Sequence, residues 1–391
     1  MKRQSQAALL LLIIVLISSP RLYLLSAEQL SSPRWGFHID MPENYNYVSG
    51  DSLNLFSFAL QIGKENASVD LVVYEAARFT SVESLAADTV KKLKADAEIS
   101  PFSYKGRGAV LLNLSFEALG KNQSGWALCI ELDTQNTGSQ PPLLLALSYA
   151  PSSIEGMEAF HLSVLDSISP SAAQLNSSGP VSAFAFPRTQ RSLYSIKGLK
   201  SQASFDKSDG AAAKALIDRE FRVLSSYSKS PQWKEAWARF YRAIHKDSYE
   251  RLADLAFQVE RELSVGLDSS ERNRKLAEKA LEWVQDFRYE RDLMGSDFVD
   301  LVSAALEGRG DCDSRALLYA IILERAGINA AIMVSRDYGH AMALVDVEGS
   351  GARFSFANTS YLVAETTAKV ALGMIGSTQS DSAKWLGVRL E

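Results

Sequence analysis

Apolar residues along the chain keep two different periods, and the change from one to the other divides it. Between residues 35 and 150 they alternate with polar ones in short runs, at 35–41, 53–62, 69–74, 110–116, 126–132 and 143–149. Period two over runs of this length predicts half-buried strands. Two stretches, 82–95 and 154–168, instead place apolar residues at every third or fourth position and predict helices. Strands in series with segregated helices predict an antiparallel sheet covered by helices. From 211 onward the period is helical, with apolar stripes at 211–226, 232–244, 248–264 and 270–289. Residues 313–326 are apolar nearly all round, which predicts a buried helix. Alternation returns at 329–335, 340–347, 353–356 and 361–364. The stretch 169–187, rich in Ser, Ala, Pro and Asn, has no period and reads as a linker.

The pattern predicts an α+β protein: an N-terminal domain at 28–168, a linker at 169–192, and a C-terminal domain at 193–391 with a helical lead-in. Ahead of them, Lys2 and Arg3 precede a mostly apolar run at 7–19. That run is shorter than the ~20 residues a membrane span needs and suits a signal-peptide core. Leu25-Ser26-Ala27 offers a cleavage site, so residues 1–27 are expected to be a signal peptide. The alternative is an uncleaved signal anchor, with residues 22–25 lengthening the run past Pro20-Arg21. Either expectation puts the remainder outside the cytoplasm: periplasmic, secreted, or membrane-anchored and facing outward. The N-terminal segment is the one membrane tether foreseen.

Composition narrows the chemistry. With 47% hydrophobic and 22% charged residues in 391, the chain can build sizeable cores. A net charge of −5 excludes a nucleic-acid partner held by bulk electrostatics. Cys129 and Cys312 fall in different predicted domains and form no disulfide framework. His38, His161, His245 and His340 are scattered without zinc-ligand spacing, so neither metal nor cofactor is expected.

One segment, 310–367, concentrates the remaining chemistry. Cys312 follows Gly308 and Gly310 and stands at the start of the buried helix, where free N–H groups favour a thiolate. Asp311 and Asp313 act the other way as like charges, so pairing with His340 would have to prevail. His340 opens a strand, and Glu365 ends a later one. A helix-borne thiol, a strand-borne imidazole and a strand-end carboxylate are the parts of thiol acyl transfer. Asn358 is a second candidate for the third member, nearer His340 in sequence. Cys129, mid-strand, reads as a small buried apolar residue. Trp233, Trp237, Phe240 and Tyr241 read as a core stripe, and Tyr289 as a core or rim residue.

Gly310-Asp311-Cys312-Asp313, Ala326-Gly327-Ile328 after the helix, and His340-Ala341 on a strand resemble the transglutaminase-like cysteine superfamily, over about 276–367. That resemblance implies a papain-like fold, with Cys312 as nucleophile, His340 as base and a peptide or protein amide as substrate. The family's third member is written Asp-x-Thr; here Glu365-Thr366-Thr367 stands in its place. Pro42-Glu43-Asn44-Tyr45 and the closing helix with Phe160, Val164-Leu165 and Ser167-Ile168 resemble the PsbP-like α/β sandwich. No calcium loop appears, and no tryptophan stands between Trp283 and Trp385 to shield a thioester, so hydrolysis is expected over transamidation. A non-catalytic peptide- or wall-binding module is the alternative from another class.

Overall fold

The computed structural model describes residues 29–390 apart from 52, 76–77, 135–139, 269–270 and 293–294. The expected leader, 1–27, lies outside the described residues. Both helices and sheets are present, and the chain divides into two compact units that change over at 175–185.

The N-terminal unit begins with the short pair β1 (Leu30–Ser31) and β2 (His38–Ile39). Its body is one antiparallel sheet made of β3 (Asn46–Gly50), β4 (Leu55–Ile62), β5 (Glu65–Tyr74), β6 (Asp96–Tyr104), β7 (Arg107–Ala118), β8 (Lys121–Glu131) and β9 (Leu143–Pro151), in the order β3-β4-β5-β9-β8-β7-β6. Alternation sorts the side chains between its faces. Val110, Leu112, Ala127, Cys129, Leu145 and Leu147 pack under α1 (Val82–Leu93), which presents Val82, Leu85 and Ala86. The opposite face carries Ser148, which meets His161 of α2 (Met157–Ser167) at 2.8 Å. The two helices therefore cover opposite faces of the sheet.

Two strands of this sheet escaped the period count. β6 is a largely exposed edge strand, and β3 is half-buried up to its exposed last residue, Gly50, so neither needs a regular apolar face. The stretch expected to be a linker is also corrected in part. It carries a 3₁₀ turn at Ala172–Gln174 and a short helix α3 (Pro180–Ala185). The Asp166 carboxylate accepts from Ser182 N at 2.8 Å and from its hydroxyl at 2.6 Å. Satisfied serines order a segment that apolar periodicity cannot register.

The C-terminal unit opens with the hairpin β10 (Arg191–Ser195) and β11 (Gln202–Asp206), then the helices α4 (Asp209–Ser226), α5 (Trp233–Arg251), α6 (Ala253–Leu263) and α7 (Arg272–Gln285). Next come β12 (Arg288–Tyr289), α8 (Leu301–Glu307), β13 (Arg309–Gly310) and the central helix α9 (Cys312–Arg325). The strands β14 (Ala330–Ser335), β15 (His340–Val345), β16 (Arg353–Phe356), β17 (Thr359–Ala364) and β18 (Leu386–Val388) form an antiparallel sheet in the order β16-β17-β15-β14-β18.

One face of that sheet, with Ile332, Val334, Ala341, Ala343, Leu362 and Ala364, lies in the same core as α9 and the lead-in helices. The small Ala341 and Ala343 let the helix approach β15 closely. The other face carries Met333, Met342, Leu344, Tyr361 and Val363, with Trp385. Because α9 is enclosed on all sides, its N-terminus can be held still relative to β15. Among the described residues, no helix is long and apolar enough to cross a membrane.

Candidate active site

Cys312 is the first residue of α9, and the turn before it is built to place it there. Asp300 caps α8 through Ser303 N at 2.9 Å, and Gly308 ends that helix in the left-handed region at φ 62°. A Cβ on Gly308 would stand 2.5 Å from Lys197 Cγ, so both conformation and space ask for glycine. β13 then pairs with β12, and Asp311 caps α9, accepting from Ser314 N at 2.8 Å. The Ser314 hydroxyl accepts from Val299 N at 3.0 Å and lies 2.5 Å from Asp311 Oδ1.

The thiol that results is 5% exposed. Burial, then Asp313, then Asp311 push its pKa up, against a contact with the Ala341 backbone N–H that favours the anion. Sγ donates to Asp313 Oδ2 at 3.3 Å, and Tyr241, buried on α5, donates its hydroxyl to Asp313 Oδ1. Desolvation and the two neighbouring carboxyls thus act against the helix terminus that the sequence places under this thiol.

His340 and Glu365 are brought together. Ala364 of β17 pairs with Ala343 of β15, so the next residue, Glu365, comes to the end of β15 that His340 begins. His340 Nε2 lies 2.7 Å from Glu365 Oε2. The other carboxylate oxygen accepts from Thr367 N at 2.7 Å and Thr367 Oγ1 at 2.6 Å. Thr367 thus holds one oxygen of Glu365 so that the other meets the imidazole, and the longer side chain spans the gap. Burial opposes ionisation of Glu365, but the His340 hydrogen bond and charge, with the Thr367 donors, keep its carboxyl below the ordinary value. With Nε2 engaged, Nδ1 is the ring atom left for a thiol proton.

Asn358 is not brought to this group. It sits at φ 66° beside Ala357 at φ 49° in the turn between β16 and β17, at the far end of β17 from Glu365. Six residues of strand separate it from Glu365 by about 20 Å, so it is withdrawn as a third member.

Other residues emerge only in three dimensions. Trp385, far along the chain, lies 6.3 Å from His340 ring to ring and 5.5 Å from Tyr338. Gln285 at the end of α7 donates to Glu365 O at 2.8 Å and Val370 O at 2.9 Å. The stripe on α5 divides: Phe240 and Tyr241 are core, whereas Trp233 and Trp237 are half-buried and lie against each other with their rings tilted, Trp237 in turn against Tyr241. Tyr289 is 55% exposed, with the Arg315 guanidinium 5.7 Å from its ring centre. Arg315 had one legible signal, a charge inside an otherwise apolar helix. Cys129 is wholly buried, and desolvation pushes its thiol pKa up. Among the described residues, no group of His, Cys, Asp or Glu could hold a metal ion.

No protein-family model and no curated protein matches the sequence. Among solved structures, the chain is similar over 32% of its length to 78% of LpqN, involved in cell envelope biogenesis in Mycobacterium tuberculosis, with 10% identity and a TM-score of 0.24. It is similar over 28% of its length to 85% of PA94, a Pseudomonas aeruginosa protein of unknown function, with 12% identity and a TM-score of 0.20. Likenesses this slight support neither a shared fold nor a shared function, and the functional reading rests on the geometry around Cys312.

Proposed function

We propose that this chain is an exported, thiol-dependent acyl-transfer enzyme acting on peptide or amide bonds, with a papain-like domain of transglutaminase type following a PsbP-like module. The observation that carries the reading is the His340–Glu365 contact at 2.7 Å, locked by Thr367 at the edge of the strand whose next residue, Ala341, touches the Cys312 sulfur. In this reading Cys312 gives its proton to His340 Nδ1 and attacks the amide carbonyl. Glu365 orients the imidazole and stabilises its cation. The backbone N–H of Cys312, at the start of α9 and without an intrahelical acceptor, faces the developing oxyanion. His340 returns the proton to the leaving amine, and water then cleaves the thioester, restoring the thiol and releasing the acid.

Water is taken as the acceptor because a thioester hydrolyses unless it is shielded. Trp385 lies against His340 on one side and is itself backed by Tyr338, so an amine remains the rival acceptor. A non-catalytic peptide- or wall-binding role is the second reading, and the hydrogen bond from the thiol to Asp313 favours it, since that contact engages the thiol proton. The test is a peptide library incubated with the protein, with and without a dansylated amine, and read by mass spectrometry. Cleaved or deamidated peptides that vanish with Cys312→Ala support the hydrolase. Amine-adducted peptides would make it a transamidase. No product from either protein would leave the binding role.

A further inference from the structure

We infer that Arg315 is a positioning residue, whose guanidinium ties the loop before Cys312 to the loop that follows Glu365 and so fixes the nucleophile relative to its imidazole–carboxylate pair. The inference rests on the acyl-transfer reading above. Arg315 lies one turn after Cys312 on α9 and is 1% exposed. Its Nε donates to Gly310 O at 3.0 Å, two residues before the nucleophile. Nη2 donates to Phe287 O at 2.6 Å, where α7 gives way to β12. Nη1 donates to Thr366 O at 3.4 Å, within the Glu365-Thr366-Thr367 turn.

These three acceptors are neutral main-chain carbonyls from three separate segments. A buried cation held this way is expensive compared with the apolar side chains filling the rest of α9. What it supplies is geometry: a rigid, planar fork of donors that no apolar residue and no lysine can copy. Its charge also faces Asp311, Cys312 and Glu365, so it opposes the negative charge that a thiolate would add between them.

The test uses the full chain and p-nitrophenyl acetate as a generic acyl donor, reading release of p-nitrophenolate on acylation of Cys312 across pH. Arg315→Lys and Arg315→Ala are compared with wild type, with Cys312→Ala and Glu365→Gln alongside, and thermal melting follows folding. Both Arg315 variants are expected to acylate at least about tenfold more slowly, as a misplacement of about 1 Å would cause. Added guanidinium should restore part of the loss in Arg315→Ala, while lysine, with charge but no fork, should restore little. Wild-type acylation in Arg315→Lys, or no recovery with guanidinium in a folded Arg315→Ala, would overturn the inference. Failure of both variants to fold would overturn it too, making Arg315 a folding residue. If Cys312→Ala acylates like wild type, the acyl-transfer reading itself fails. If Cys312→Ala is silent while Arg315→Lys is normal, only this inference falls.

Discussion

Replacing Asp313 by Asn isolates one of the two carboxyls that, after burial, push the Cys312 thiol up. The Sγ–Oδ2 separation is 3.3 Å. At that range a thiolate and a carboxylate would repel by about 5 kcal/mol at an effective dielectric of about 20. Asp313 is half-exposed, so water screens the pair and the effective cost falls to about 1.5–3 kcal/mol. At about 1.4 kcal/mol per unit, removing the charge should lower the thiol's titration midpoint by about 1–2 pH units. The amide oxygen of Asn can still accept from Tyr241, so the local packing is retained. The assay is the rate of Cys312 alkylation by iodoacetamide against pH, located by peptide mapping. Cys129 serves as a silent internal reference, because it is wholly buried. A midpoint that stays put or moves up in Asp313→Asn would refute the electrostatic account.

Glu365→Gln should slow acylation at least about tenfold, because it removes the charge that stabilises the imidazolium, while Asn358→Ala leaves the rate unchanged; steady-state kinetics on both variants checks the ranking. Asn358→Ala should instead cost about 1 kcal/mol of stability, since alanine tolerates the left-handed turn less well than asparagine or glycine, and Asn358→Gly should not; urea unfolding separates them. In the N-terminal unit, burial holds the His161 imidazole down at about 4, below its ordinary 6.5. The unfolded chain therefore binds this proton first, so His161 should remove about 3 kcal/mol of stability as pH falls from 6.5 towards 4; urea midpoints against pH should flatten in His161→Asn. Asp70, pushed up to about 6 by burial, acts in the opposite sense, so Asp70→Asn should steepen the same profile.

The order of elements and the burial of α9 were legible in the sequence because apolar period reports which face of an element leaves water. The element ends at which Cys312, His340 and Glu365 stand were legible because turn and capping residues mark them. Several things were not. The edge strand β6 has no continuous buried face to impose a period. The choice of Glu365 over Asn358 depends on the register of β17 against β15, and both residues follow equally plausible turns in one dimension. Trp385 reaches His340 only because β18 returns to the edge of the sheet beside β14. The surroundings of the thiol were decided by the fold: the helix end that favours an anion was visible, but the depth of burial and the aim of Asp313 toward the sulfur exist only once the helix is enclosed. Local sequence sets which groups are near one another along the chain, whereas desolvation and non-local contacts depend on everything packed around them, and here those terms determine the chemistry of Cys312.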